Sequence, residues 1–138
     1  MRTRLLLLLL ILALCYKATT QETMTLNDAK EAYFAGDYQK VVSIYKTLSE
    51  QADAAAQCNL GFCYYTRKRV EQSSTEAVKC YGKAAKQGYA EAQYSLGACY
   101  QYGQGFNRSI ETAIKWYRKV AEQGYGKAIK ILEQLEKN

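Results

Sequence analysis

The feature that most constrains this chain is that it repeats itself. Offset by 36 residues, the segment from Asp53 to Gly88 matches the segment from Tyr89 to Gly124 at 15 of 36 positions. Ala54, Ala56, Gln57, Leu60, Gly61, Cys63 and Tyr64 return as Ala90, Ala92, Gln93, Leu96, Gly97, Cys99 and Tyr100. Farther on, Ala77, Lys79, Tyr81, Lys83, Ala85, Gln87 and Gly88 return as Ala113, Lys115, Tyr117, Lys119, Ala121, Gln123 and Gly124, and Ser73 returns as Ser109 between the two blocks. A period of about 20–50 residues marks a unit that cannot bury its apolar face alone and stacks on copies of itself.

The spacing inside each unit is helical. Ala56, Leu60 and Tyr64 are four apart, as are Ala77, Tyr81 and Ala85, so each set falls on one face of its own helix and each unit is a helical hairpin. The chain has no proline and only nine glycines, as helices joined by short turns require. Gly61 and Gly97 lie inside the first helix of their units, where glycine costs about 1 kcal/mol relative to alanine. That cost points to a close crossing with no room for a side chain. Gly88 and Gly124 follow the second helix, where a left-handed stop is expected. Ser73 and Ser109 are the expected N-caps, and Glu76, three residues after Ser73, completes the pattern of a capping box.

These residues resemble the Sel-one-like repeat, a 36-residue relative of the tetratricopeptide repeat. The second unit carries the family pattern in Ala90-Glu91-Ala92-Gln93, Leu96-Gly97, Tyr100, Gly103-Gln104-Gly105, Ala113, Trp116-Tyr117 and Ala121-Glu122-Gln123-Gly124. The first unit keeps the core but has Arg67 and Arg69 in place of the turn glycines and Cys80 in place of the tryptophan. Upstream, Gly36-Asp37-Tyr38 with Val41, Tyr45 and Leu48 looks like the turn and second helix of a tetratricopeptide hairpin, with Leu26 to Phe34 as its first helix and Thr25 as its cap. Downstream, a segment beginning at Ala128 has Glu133 where the glycine should be and reads as a closing helix with Ala128, Leu132 and Leu135 inward. The resemblance implies an all-α, right-handed solenoid of antiparallel hairpins over residues 25–138. Its units are about 25–52, 53–88 and 89–124, with a closing helix over 125–138, giving seven helices whose terminal units depart from the pattern.

The amino-terminal residues set an expected compartment. Arg2 and Arg4 precede an unbroken apolar run from Leu5 to Leu14, which is too short for the roughly 20 residues of a membrane span and gives way to Thr19-Thr20-Gln21-Glu22. Residues 1–15 therefore read as a secretory signal, with 16–24 as a flexible linker. Ala13 and Cys15 supply the small residues for cleavage after Cys15, and a later cut falls near Ala18. Lipoprotein processing would instead acylate Cys15, and an uncleaved anchor is the third option. All three place the body outside the cytosol, in secreted or envelope form.

Without Arg2 and Arg4 the formal charge of +6 becomes +4, with 17 basic and 13 acidic residues. The densest basic stretch, Arg67-Lys68-Arg69, is three long and followed closely by Glu71, so no nucleic-acid footprint is expected. There is no histidine, which removes histidine-based acid–base catalysis and the common zinc sites. No cofactor or metal is expected. Ser43-Ile44-Tyr45-Lys46 fits the serine-x-x-lysine pattern of penicillin-recognising enzymes without its companion motifs. Because some cysteine-rich secreted relatives bind or slowly hydrolyse such compounds, the resemblance offers a weak β-lactam-type hydrolase as the competing function. Asn107-Arg108-Ser109 is a glycosylation acceptor pattern that matters only in a eukaryote.

Of the cysteines beyond Cys15, Cys58 and Cys63 stand about 140° apart around one helix, unsuited to a bridge or a shared metal. Cys63 and Cys99 occupy equivalent places on helices about 8–10 Å apart. Cys80 faces Cys58 or Cys63 across the first hairpin, so the readings are a bridge from Cys80 to one of them or four buried thiols.

In arrays of this type the first helices line the hollow side. Phasing from Gly61 and Gly97 directs Cys58, Phe62 and Tyr65 of the first unit and Tyr94, Ala98, Gln101 and Tyr102 of the second toward it. Phe62, Tyr65, Tyr94, Gln101 and Tyr102 are the expected contacts for a protein or peptide partner, with Gly61, Gly97, Tyr64, Tyr100, Ala77, Ala113, Tyr81, Tyr117, Gly88 and Gly124 as the structural positions. Thirteen tyrosines against three phenylalanines suit such a face, because tyrosine buries a ring and keeps a polar tip in water. The function expected is a non-catalytic interaction module, its membrane contact confined to the signal or to a lipid on Cys15.

Overall fold

A computed structural model describes residues 2–19 (backbone alone from 14 to 19), 23–66 and 72–137. The described residues form eight helices and no strand: α1 (Arg2–Thr19), α2 (Leu26–Phe34), α3 (Tyr38–Glu50), α4 (Ala54–Thr66), α5 (Ser74–Lys86), α6 (Ala90–Tyr102), α7 (Ile110–Ala121) and α8 (Gly126–Leu135). From α2 onward each helix packs chiefly on its neighbours in sequence. The result is the expected solenoid, with hairpins α2/α3, α4/α5 and α6/α7 closed by α8. Helix α1 runs four residues into the segment expected to be a linker, and Leu5 to Leu12 lie exposed along it. None of the described helices is long and apolar enough to cross a membrane. The Cys15 side chain, Arg67 and Arg69 lie outside the described residues.

Side-chain caps start the helices where the sequence places them. Thr25 and Asp28 form a full capping box, the Thr25 N–H donating to Asp28 Oδ2 at 2.6 Å and the Asp28 N–H to Thr25 Oγ1 at 3.3 Å. Asp53 Oδ1 accepts from the Ala56 N–H at 2.8 Å at the start of α4. Ser73 and Ser109 cap α5 and α7. The capping box expected at Ser73 is only half made. The Ser73 N–H donates to the Tyr64 carbonyl at 3.1 Å, so Glu76 has no donor to reach back to and accepts from Lys79 Nζ at 2.7 Å instead. Ser109 repeats that bond to the Tyr100 carbonyl at 2.9 Å, tying the start of each second helix to the end of the first. Gly88 and Gly124 end α5 and α7 at φ of +83° and +80°, as the left-handed stop requires.

Both mid-helix glycines are contact points. A β-carbon on Gly61 would stand 2.8 Å from the Tyr81 ring, and one on Gly97 would stand 2.6 Å from the Tyr117 ring. Both rings are buried, Tyr117 completely. The crossing expected from sequence is thus a tyrosine ring of the second helix seated against the bare backbone of the first. Carbon atoms at rest sit roughly 3.5–4.0 Å apart, so an added methyl has no place there.

A second repeating device lies at the ends of the hairpins. Gln57 and Gln93 are buried, yet each is satisfied. Gln57 Nε2 donates to the Ser49 carbonyl at 3.3 Å and Gln57 Oε1 accepts from Gln87 at 2.9 Å. Gln93 Nε2 donates to the Ala85 carbonyl at 3.2 Å and Gln93 Oε1 accepts from Gln123 at 2.6 Å. Each pair links the first helix of a unit to the end of its second helix and to the unit before. A buried amide left unpaired would cost about 1–3 kcal/mol, so these bonds fix the stacking register.

The four cysteines past Cys15 are free and buried. Cys58 packs with Ala77, Tyr81, Ala92 and Leu96, whereas Cys80 packs with Cys63, Val42 and Leu60. The expected approach of Cys80 to Cys58 is therefore corrected: Cys58 turns into the seam with the next unit. Burial pushes the Cys58 thiol up to about 12 and the Cys99 thiol to about 11, from an ordinary 9.0, and raises the Tyr81 and Tyr117 phenols above 10.0.

Two outcomes follow for stability. Gly97→Ala should destabilise the chain by about 1–2 kcal/mol in urea unfolding, overpacking against Tyr117 outweighing the helix-propensity gain. Gly82→Ala, where a β-carbon meets nothing within 4 Å, should stabilise it by up to about 1 kcal/mol. Equal effects of the two would contradict the seat. The raised thiol pKa values bear on alkali: above pH 9 the unfolded chain loses protons that the folded chain keeps, so stability is full below 9 and falls through about 11–12. The urea midpoint should fall steadily from pH 8.5 to pH 11, on the order of the thiol window; a flat profile would show these thiols to be exposed.

Candidate partner-binding groove

Charge separates the two sides of the solenoid. Helix α4 carries no charged residue and α6 only Glu91, whereas α5 and α7 carry Lys79, Lys83, Lys86, Lys115, Arg118 and Lys119. Of these, Lys79, Lys115 and Arg118 pair with Glu76, Glu111 and Glu136 on the surface. The side built from α4 and α6 is left nearly neutral and rich in aromatic rings.

A groove of about 190 Å³ runs between α4 and α6, lined by Phe62, Tyr65, Tyr94, Ser95, Ala98 and Gln104 over a floor of Tyr81 and Cys99. Three of the five expected contact residues thus come together in it. Phe62 is half exposed. Tyr94 is shared between groove and core, its ring centroid 5.5 Å from that of Tyr117 and 5.3 Å from that of Tyr125, and burial raises its phenol pKa. Gln101 and Tyr102 do not line this groove. Gln101 Oε1 accepts the Tyr117 hydroxyl at 2.7 Å, which turns that side chain toward the hairpin. Tyr102 closes α6 with its side chain in solvent. Cys58, also phased toward the hollow, is buried for the reason given above.

A larger pocket of about 330 Å³ adjoins it between α2, α3 and α4, and Phe62 forms a wall of both. Its lining includes Lys30, Tyr33, Phe34, Tyr38, Tyr45 and Asn59. Tyr33 stands edge-on to Phe34 and to Tyr38, with centroids 6.0 and 5.4 Å apart and planes at 81° in both pairs. Phe34 is 77% exposed. Sequence reasoning missed these residues because the first hairpin lies outside the 36-residue identity. The cluster Tyr33-Phe34 before Gly36-Asp37-Tyr38 was the available signal.

The serine-x-x-lysine pattern lies on the surface of α3. Ser43 and Lys46 are both exposed on α3, and among the described residues no hydrogen bond joins their side chains. The described residues also contain no group of three or more cysteine or acidic side chains placed to hold a metal ion.

The comparisons agree with the geometry. The Sel1 repeat family profile matches residues 54–89 and 90–125, the frame of the two internal units displaced by one residue. A Sel1 repeat protein from Oxalobacter formigenes is 37% identical, with a TM-score of 0.73 over 78% of this chain and 44% of its own. A protective antigen present in uropathogenic Escherichia coli strains, displaying the SLR fold, is 33% identical with a TM-score of 0.65 over 66% of this chain and 20% of its own. This chain thus spans less than half the length of either. The Helicobacter pylori cysteine-rich protein B shares the fold at 24% identity and a TM-score of 0.64, over 68% of this chain and 71% of its own. No curated protein matches. With two matched repeats covering more than half of its length, the chain belongs to the Sel1 repeat family.

Proposed function

We propose that this protein is an exported scaffold that binds an extended segment of a protein partner along the side formed by α2, α4 and α6. One observation carries the reading: two apolar grooves meet at Phe62, a residue that is 50% exposed and serves as a wall of each. Exposed aromatic rings cost free energy in water and are recovered when a partner covers them, and such anchors dominate interface energetics. Sel1 repeats serve as protein-interaction scaffolds, and the reading needs no cofactor and no nucleic acid. Export rests on the charged-then-apolar start of the chain, with membrane contact confined to that segment or to a lipid on Cys15. The relative described as a protective antigen is in keeping with a position outside the cytosol.

The central contacts are Phe62, Tyr65 and Tyr94, with Tyr102 and Gln101 at the carboxyl-terminal margin. Affinity should be modest, because three short hairpins and a closing helix offer less than the roughly 800 Å² per partner of a standard interface.

Chemical cross-linking to native envelope extract, followed by affinity recovery, tests the groove. Phe62→Ala should reduce partner recovery by roughly tenfold, the loss expected for a buried aromatic anchor. Lys83→Ala, on the outer face, should leave recovery unchanged, and both variants should keep the helical circular dichroism of the parent. Equal recovery with Phe62→Ala and the parent would exclude the groove as the binding surface.

A further inference from the structure

We infer that the pocket between α2, α3 and α4 holds one aromatic side chain of the partner together with a carboxylate next to it in the partner's sequence, an aromatic–acidic step in an extended peptide. The inference rests on the docking reading above and specifies what its first subsite takes. At about 330 Å³ the pocket lies at the small end of ligand-sized cavities, room for a ring and its immediate neighbour. Tyr33, Phe34, Tyr38 and Phe62 are its aromatic walls. The edge-on packing of Tyr33 with Phe34 and Tyr38 is the arrangement that a further ring can extend.

The polar equipment is one-sided. Among the described residues Lys30 is the one charged side chain in the lining and no acidic one joins it, while Asn59 supplies an amide. Among the described residues neither Lys30 nor Asn59 has a side-chain hydrogen bond or ion pair. Acids nearby on α2 are engaged elsewhere: Glu31 accepts from Asn27 at 3.1 Å, and Asp28 is bonded to Thr25, which holds its carboxyl below the usual range. The Lys30 charge is therefore not neutralised from its own helix. Lys30 and Phe34 are four apart on α2, and Asn59 and Phe62 are three apart on α4, so each of these helices presents an aromatic ring and a hydrogen-bond donor on one face. An unpaired ammonium and an amide beside edge-on rings are complementary to an aromatic group carrying a carboxylate nearby. The occupant is a peptide and not a free aromatic acid, because Phe62 is a wall of both this pocket and the second groove, so a chain seated in the pocket has a second apolar groove beside it.

The test is an NMR titration of the isotope-labelled full chain with the blocked peptide Gly-Ser-Phe-Glu-Ser-Gly and its counterpart with Gln for Glu. At low salt the acidic peptide should bind about fivefold more tightly, the scale of an exposed ion pair, with amide shifts centred on Lys30, Phe34, Asn59 and Phe62. Lys30→Met should remove that preference while leaving the Gln peptide's affinity unchanged, and raised salt should shrink it. N-acetyl-phenylalaninate binding as tightly as the acidic peptide would replace the peptide by a small aromatic acid. Equal affinities, a preference that survives Lys30→Met, shifts elsewhere, or no binding of either peptide would each overturn the subsite. Any of these results, with partner capture still lost in Phe62→Ala, leaves the groove reading standing; unchanged capture in Phe62→Ala beside a Lys30-dependent preference does the reverse.

Discussion

The missing β-carbons at Gly61 and Gly97 set the distance at which the two helices cross in the α4/α5 and α6/α7 hairpins. Because Tyr81 and Tyr117 lie directly against those backbones, each of these two hairpins is drawn together around an aromatic ring. The ring has two further consequences. Tyr81 forms part of the floor of the groove between α4 and α6, and the Tyr117 hydroxyl holds Gln101. Gln57 and Gln93, donating to the Ser49 and Ala85 carbonyls of the hairpin before, then align one hairpin on the next, so crossing distance and stacking register come from different residues repeated with the same period.

Departures from the repeat shape the surface. Phe62 stands where the next unit has Ala98, so a large ring on one side of the groove faces a small residue on the other. Tyr94 stands where the first unit has Cys58. The phenol reaches the groove, whereas the thiol stays in the seam between units. Apart from the exposed lysines Lys79/Lys115 and Lys83/Lys119, positions held constant by the period mostly carry packing, and positions that vary between units shape the groove. Lysines recur on α5 and α7, where Lys79 and Lys115 pair with surface glutamates, and the first helices α4 and α6 go almost without charge.

The hairpins, caps and glycine seats were legible in the sequence because each depends on local spacing and on the chemistry of a single residue type. Leu26–Phe34 emerged with its predicted bounds since Thr25 and Gly36-Asp37 punctuate it at both ends. What the sequence did not disclose depends on which neighbour a face meets. A phase of 100° per residue directs Cys58 and Gln101 toward the hollow, but a thiol finds an apolar seam beside it and an amide finds a tyrosine hydroxyl. The glutamine identities were visible as a pattern, yet their partners lie 30 residues away, and no local rule connects them. The aromatic pocket was hidden for a related reason, since it gathers α2, α3 and α4 from two units that share little sequence.

On the proposed function a separate protein partner covers Phe62 when it binds. Photo-cross-linking with p-benzoylphenylalanine replacing Phe62, compared with the same probe replacing Lys83 on the outer face, reads this directly. Covalent adducts to a separate polypeptide from position 62 and none from position 83 are the predicted result. Adducts formed only within the chain from position 62, or equally from both positions, would contradict it.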